Sequence, residues 1–360
     1  MLKGFVSRIA LLASWLGVFA TPAQAADFAA FNQDYATNLV APAFKTLAGE
    51  TRKLAQLADD FAAAPTQDGY AALQVGFDSV SDAWMQVEFF RLGPLGAEQR
   101  SDRFEYWPEK RSIIDKQLQG LLASKDQGAL APEKFAQASV AVQGLPALER
   151  LLHGEDARQV LSAGPEQKPR AALIRAIAHN LDALAHELNA AWEKAIADPK
   201  VAAAPFSADP NEAAAQFYAG LATGLEVVSD QKIAGPRGAT IDKAKPKAAE
   251  QWRSGRSLKN IALNLAAIQN AMTGPHGFVR LLGTDQDALR KELTDAFNAA
   301  NAAAAAAPQP LDAAVADAEG RKKIGTLLIA VNHLRDLMTQ KAPPALGISL
   351  GFNELDGDGS

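Results

Sequence analysis

Apolar residues recur at three- and four-residue spacing along most of this chain, which is the period of an amphipathic α-helix. Alternation typical of β-strands is nearly absent, and alanine, the strongest helix former, dominates the composition. The clearest apolar stripe lies in the window 66–90, at Leu73, Phe77, Val80, Trp84, Val87 and Phe90. The pattern predicts an all-α protein.

Further helices are predicted from the same spacing and from the Pro and Gly residues between them. Their approximate ranges are 41–63, 109–123, 132–153, 168–197, 210–229, 257–272, 286–306 and 311–341. The longest stretch without a helical period, 229–251, contains a basic cluster at Lys243, Lys245 and Lys247 and is predicted to be an extended connection.

The length of the chain predicts two packed helical bundles, because about 335 residues after the leader exceed what one core usually organises. Gly164-Pro165 is the break chosen as the boundary. The predicted domains are therefore an N-terminal bundle at 26–164 and a C-terminal bundle at 165–360.

The first residues have the composition of a secretory signal peptide. Lys3 and Arg8 precede an apolar run at 9–20 that is too short to span a bilayer, and a small-x-small pattern follows at 23–25. We predict that residues 1–25 are removed, that no transmembrane segment remains, and that the exported chain is soluble in the periplasm.

The net charge and the absence of cysteine exclude several classes of function. Removal of Lys3 and Arg8 changes the formal net charge from −5 to −7, which argues against a nucleic-acid partner. The chain has no cysteine, so it offers no thiol nucleophile, no lipid attachment and no disulfide. Ser-His-Asp order, a His-Glu-x-x-His zinc motif, a phosphate loop and a dinucleotide fingerprint are absent from the sequence.

One carboxylate, Glu149, stands in the otherwise apolar helix start that runs from Gly144 to Leu152. Burying a carboxylate is costly unless it is paired. Either Glu149 is a cleft acid that binds a cation or a basic group of a ligand, or it belongs to a structural ion pair. The candidate partners are Arg91, Arg150, Arg253 and Arg256.

This segment resembles the signature of the imelysin family, Gly-x-His-x-x-Glu. Gly144 and Glu149 are in register with that pattern, and Pro146 stands where the histidine would be. The resemblance implies a family first described as peptidases and associated mainly with periplasmic iron uptake. The missing histidine counts against hydrolysis and also against a role in metal binding.

Other segments resemble the same family in order along most of the chain. They are Trp84 with residues 91–94, then residues 106–111, 143–152, 232–236, 250–258 and 350–359. The resemblance implies two helical domains related by pseudo-symmetry, with a polar cleft between them on which these motifs converge.

Two groups of residues have metal-ligand chemistry at helical spacing. His153 follows Glu149 by four residues, so both side chains lie on one face and are candidate ligands of one ion. Because Gly154 follows, the alternative is that His153 sits at the helix C-terminus and interacts with its carbonyls.

The second group lies further along the chain, at His179, Asp182 and His186. Its offsets of three and seven residues place the three side chains on one helical face. The alternative is an ordinary solvated face, which such spacing also produces.

A cluster of two guanidinium groups and two hydroxyls, at Arg253, Ser254, Arg256 and Ser257, is predicted to lie at a helix N-terminus, where anions bind well, with Ser257 as the N-cap. It binds a carboxylate, a phosphate or Glu149 itself, or it is an ordinary helix cap. Trp107, in a loop, is a candidate cleft residue.

At the C-terminus, Asn353 and Asp356 are candidates for a turn that closes over the cleft. The alternative is that these two side chains only solvate the end of the chain.

These residues, with the resemblance, predict a non-catalytic periplasmic binding protein associated with iron or metal acquisition. Its ligand would lie in the cleft between the domains, against Glu149, Arg91, Trp107 and the arginine–serine cluster, and the expected cargo is iron or another divalent cation. The expected partner is an iron-uptake system or another envelope protein. The alternatives are a metallopeptidase, which needs a metal-bound water and a base, and a structural or partner-binding envelope protein.

Overall fold

The computed structural model describes residues 27–350 except residues 92, 125 and 199–208. Within these ranges the chain forms helices, turns and loops and no strand, so the all-α prediction is confirmed. The predicted signal peptide and the candidate residues Asn353 and Asp356 lie outside the described residues.

The α-helices are numbered in chain order. They are α1 Phe28–Tyr35, α2 Ala41–Ala63, α3 Gln67–Trp84, α4 Arg100–Phe104, α5 Ile113–Ala123, α6 Pro132–Phe135, α7 Leu145–His153, α8 Gln167–Ala197, α9 Pro210–Glu226, α10 Gly235–Arg237, α11 Ser257–Thr273, α12 Asp287–Ala306, α13 Leu311–Ala316, α14 Ala318–Asp336 and α15 Ala342–Leu346. Three π-helical segments join neighbours: Ala36–Val40 between α1 and α2, Val227–Ala234 between α9 and α10, and Leu337–Lys341 between α14 and α15.

Side-chain caps fix where several of these helices begin. Thr66 accepts a hydrogen bond from the backbone N–H of Gly69 at 3.0 Å before α3, and Asp317 accepts one from Gly320 at 2.7 Å before α14. Each cap satisfies a backbone donor that has no partner within its own helix. The local sequence therefore determines these starts without help from tertiary contacts.

The helices pack as two bundles around one continuous apolar core. In the first bundle α2 packs against α3 and α8, and in the second α12 packs against α11 and α14. Helix α1 packs on α9 and joins the two, with the rings of Tyr35 and Phe217 5.0 Å apart. Helix α8 follows residue 164 in the chain but packs on α2 in the first bundle, and one core runs through both bundles. The division of the chain into domains after residue 164 stays a prediction.

The two bundles repeat one local order of elements. Helix α7 is followed by a glycine, a 3₁₀ turn at Ala157–Leu161 and the long helix α8. Helix α11 is likewise followed by a glycine, a 3₁₀ turn at Phe278–Leu281 and the long helix α12. This repetition agrees with the pseudo-symmetry that the resemblance implies.

Several predicted ranges are wrong. Helix α3 ends at Trp84 and not at residue 90, and the predicted helix 311–341 is divided at Asp317 into α13 and α14.

Two further errors lie near buried polar groups. The predicted helix 132–153 is divided into α6, a 3₁₀ turn at Val140–Val142 and α7, because Gly144 has an extended backbone and ends the helical path before it. The predicted connection 229–251 is helical as far as Arg237, through the π-helical segment. Among the described residues, no helix combines the length and the apolar character needed to cross a membrane.

Candidate functional site

Glu149 lies in the second turn of α7 and is buried, with 2% of its surface exposed. Its Oε1 accepts two hydrogen bonds from Ser254, one from the backbone N–H and one from Oγ, both at 2.9 Å. Nη1 of Arg253 lies 4.0 Å from its Oε2. Burial raises the pKa of Glu149, while the Ser254 donors and the Arg253 charge act in the opposite direction.

Gly144, at the start of α7, explains how the helix is held in place. Its backbone passes so close to the end of α4 that a Cβ atom on Gly144 would lie 2.3 Å from the carbonyl oxygen of Phe104. The side chain of the preceding residue, Gln143, is buried and accepts a hydrogen bond from Nε of Arg103 at 2.9 Å. Helix α7 and the segment after α4 are therefore packed directly against each other.

A cavity of about 80 Å³ lies where this segment, α7 and the loop before α11 meet. Its walls include Glu105, Trp107, Pro146, Glu149 and Arg253. Pro146, at the position of the signature histidine, thus faces the same space as the signature glutamate. The proline side chain has neither a donor nor an acceptor, so it contributes only apolar surface there.

Two tryptophans line the more exposed side of the cavity. Nε1 of Trp107 donates to the carbonyl oxygen of Ala248 at 3.3 Å, which joins the loop after α4 to the loop before α11. The guanidinium of Arg253 lies 4.8 Å from the ring centre of Trp252, and Nζ of Lys247 lies 5.3 Å from it. The aromatic surface thus holds two cations at the cavity wall.

Behind the cavity lies a charged cluster whose contacts the sequence analysis missed, although Lys232 and Glu250 begin two of the segments that resemble the family. The ammonium of Lys232, with 1% of the residue exposed, contacts Glu88 Oε1 at 2.5 Å, Glu250 Oε1 at 2.8 Å and Asn264 Oδ1 at 2.8 Å. Burial acts to lower the pKa of Lys232, but the two glutamates outweigh it and the pKa is raised. Lys232 is therefore a charged ammonium shared by two buried carboxylates from different parts of the chain.

Glu105, also missed, connects this cluster to the cavity. It is buried, with 8% exposed, and its Oε2 accepts a long hydrogen bond of 3.4 Å from Nε2 of Gln251. Burial, reinforced by the negative charges of Glu250 and Glu88, raises the pKa of Glu105 well above its usual range. The only sequence signal was its place beside Trp107, directly before residues that resemble the family.

The structure brings Glu149, Trp107, Arg253 and Ser254 together, but the other candidates lie elsewhere. Ser257 is not the predicted N-cap: it is the first residue of α11, and its Oγ donates to the carbonyl oxygen of Glu250 at 2.5 Å. The exposed Arg91 makes a hydrogen bond of 3.4 Å to the backbone carbonyl of Glu88.

His153 ends α7 and is not a wall of the cavity. Its ring lies 5.5 Å from that of Phe77, and burial lowers its pKa. Ligation of a metal by Glu149 and His153 together stays a prediction.

The side chains of the second predicted metal group make polar contacts on the surface of α8. His179 contacts Asp59 at 2.9 Å, whereas His186 contacts Asp182 at 2.9 Å and the guanidinium of Arg52. Within the described part of the chain, no three His, Asp or Glu side chains are grouped so that they could hold a metal ion.

Comparisons with known proteins agree with the signature. The sequence model of the imelysin family, labelled peptidase M75, matches residues 40–338. Iron-regulated protein A of Synechococcus elongatus is 24% identical over 327 residues, which cover 87% of this chain and 85% of that protein.

Two solved structures are similar in fold. An imelysin-like protein from Psychrobacter arcticum superposes with a TM-score of 0.76 at 23% identity, over 90% of this chain and 97% of the other. A putative iron-regulated protein A precursor from Parabacteroides distasonis gives 0.67 at 16% identity, over 87% and 95%.

Proposed function

The chain belongs to the imelysin family, and on that premise we propose that it is a non-catalytic periplasmic binding protein with an iron-related role. Its ligand binds at the open side of the cavity between α7 and the loop before α11, because about 80 Å³ is too small to enclose a whole chelate. The link to iron rests on the names of two relatives, the iron-regulated protein A of Synechococcus elongatus and the putative precursor from Parabacteroides distasonis. The export signal predicted at residues 1–25 supports the periplasmic location.

One observation carries the proposal: the signature carboxylate faces a cavity whose other walls are polar and aromatic. Glu149 contributes an acid, Arg253 a guanidinium, and Trp107 and Trp252 flat aromatic surfaces. Small-molecule sites usually consist of a few convergent polar groups in a concave, partly aromatic space.

Pro146 supports binding rather than hydrolysis. Metal-assisted hydrolysis needs a protein ligand set that activates water and a group that moves a proton. At the signature histidine's position Pro146 provides neither, and Glu149 already accepts two hydrogen bonds from Ser254.

The charged groups around Glu149 do not suit the binding of a bare iron ion. A cation next to Glu149 would meet the positive charge of Arg253, whose Nη1 lies 4.0 Å from Oε2. The same wall suits an iron complex that supplies its own donor atoms and presents polar or anionic groups to the guanidinium. We therefore propose iron as cargo in chelated form.

Calorimetric titration of the mature protein tests the proposal, with ferric citrate as the chelate probe and ferrous, ferric, zinc and copper ions as bare-metal probes. We expect ferric citrate to bind wild type and to bind Arg253→Gln at least about tenfold more weakly, because the guanidinium that faces its anionic groups is lost. Arg52→Gln, at an exposed arginine on α2, is the matched control and should bind like wild type.

Binding of the bare ions that depends on Glu149 and His153 would replace the chelate by direct ligation. If none of these probes binds, the proposed iron-binding role is wrong. Metal-dependent peptide hydrolysis would establish the peptidase alternative instead.

A further inference from the structure

The buried end of the cavity contains an oxygen atom to which none of the described residues donates a hydrogen bond. Oε1 of Glu105 has no hydrogen-bond partner among the described residues, and its Oε2 has only the long contact with Gln251. Glu105 is more than nine-tenths buried and forms part of the cavity wall. A buried carboxyl group without partners is costly, so the site is one that a hydrogen-bond donor would stabilise.

The charges behind Glu105 determine which kind of donor suits it. Glu88, Glu149 and Glu250 all act on Glu105 as negative charges, and Lys232 is the positive charge that opposes them. That lysine is already shared by two of the glutamates, so its charge is largely neutralised. Arg253 offsets the charge of Glu149 but is not among the strongest charges acting on Glu105, so this end of the cavity favours a cation over an anion.

The neighbouring walls are aromatic, which favours an organic cation. Tyr106, Trp107 and Trp252 line the same space. Trp252 already attracts the ammonium of Lys247 to 5.3 Å from its ring centre. Carboxyl and aromatic groups together are the usual surroundings of bound ammonium groups. A metal ion fits less well, because the described residues provide no group of three metal-ligating side chains.

We propose that the buried end of this cavity binds a protonated primary amine, which donates a hydrogen bond to Oε1 of Glu105. Only a small ammonium group enters, because the cavity is about 80 Å³. The inference rests on the proposed function: it identifies one group of the ligand, so the iron chelate carries a primary ammonium. Arg253 and Lys247, on the more exposed side, face its anionic part.

Ethylammonium chloride is the probe, titrated against the whole mature protein at constant ionic strength while tryptophan fluorescence and heat are recorded. Acetate, of similar size and opposite charge, is the comparison ligand. We expect ethylammonium to bind and acetate not to bind. Glu105→Gln should weaken ethylammonium binding at least about tenfold, because the bound ammonium stabilises the ionised form of Glu105, which the amide cannot adopt.

Two further variants make the result specific. Glu133→Gln changes an exposed carboxylate on α6 and should bind ethylammonium like wild type. Lys247→Met removes the ammonium that competes for the same aromatic wall and should bind it more tightly. Thermal unfolding of each variant shows that it is folded before it is titrated.

Unchanged binding in Glu105→Gln, equal binding of acetate, or no binding of ethylammonium to wild type would each overturn the inference. Its failure is distinguishable from failure of the proposed function. If ferric citrate binds and ethylammonium does not, only the proposed amine site is overturned. If ethylammonium binds and ferric citrate does not, only the proposed iron cargo is overturned.

Discussion

The carboxylate of Glu149 and the hydroxyl and backbone N–H of Ser254 form two hydrogen bonds of 2.9 Å across 105 residues of sequence. They fasten the loop before α11 onto the signature helix α7. Since Trp252 and Arg253 belong to the same loop, this pair of residues sets the position of one whole wall of the cavity.

Ser254→Ala removes one of the two donors and is expected to lower the free energy of unfolding by about 1.5–3 kcal/mol, as for other hydrogen bonds to charged groups. Urea denaturation measures the loss. Ser162→Ala, at an exposed serine, is the control and should change stability by less than about 0.5 kcal/mol. Equal stability of the two variants would show that the hydroxyl contributes nothing to holding the loop.

Gly144→Ala should destabilise the protein by about 2 kcal/mol or more, because the new Cβ would lie 2.3 Å from the carbonyl oxygen of Phe104 and the backbone has to shift. Gly49→Ala in α2 is the matched control: nothing lies within 4 Å of its Cβ position. That change should stabilise the helix by about 0.5–1 kcal/mol. Chemical denaturation of both variants should therefore give shifts of opposite sign, and shifts of the same sign would contradict the close approach.

Lys232→Met leaves the carboxylates of Glu88 and Glu250 buried without their shared ammonium. Removal of one partner from a buried ion pair costs about 3–5 kcal/mol. Lys259→Met breaks an exposed pair with Asp82 and should cost less than about 1 kcal/mol. The midpoint of urea unfolding at neutral pH compares the two, and a similar small loss in both would mean that the buried glutamates are satisfied without the lysine.

The pH dependence of stability should reveal Glu105. Its pKa is raised in the folded protein above the ordinary value of 4.5. The folded state therefore holds this proton more tightly, and the associated stability is complete below pH 4.5. It is lost as the pH rises toward the folded-state pKa.

Over that range each pH unit costs about 1.4 kcal/mol from this one group. Glu105→Gln cannot ionise and should flatten this part of the profile, so that the variant gains on wild type as the pH increases. Denaturation series from pH 4.5 to 8 measure the difference. Parallel profiles for wild type and variant would show that Glu105 does not carry the raised pKa.

The sequence alone determined the helical class and most helix positions, because helical periodicity and caps are local. The predicted range 41–63 is α2 to the residue, and 257–272 differs from α11 by one residue. The sequence also identified the Gly144 and Glu149 signature, since the two residues lie five positions apart on one short helix.

Only the tertiary structure decided what surrounds that signature. Glu88, Lys232 and Glu250 lie far apart in sequence, and charged residues in helices are usually solvated, so their local pattern gave no sign of a buried cluster. The same holds for Glu105, whose pKa depends on the charges of four residues from four other segments. Burial and long-range charge are properties of the packed chain. They place the signature helix start beside a cavity that has buried charged residues behind it.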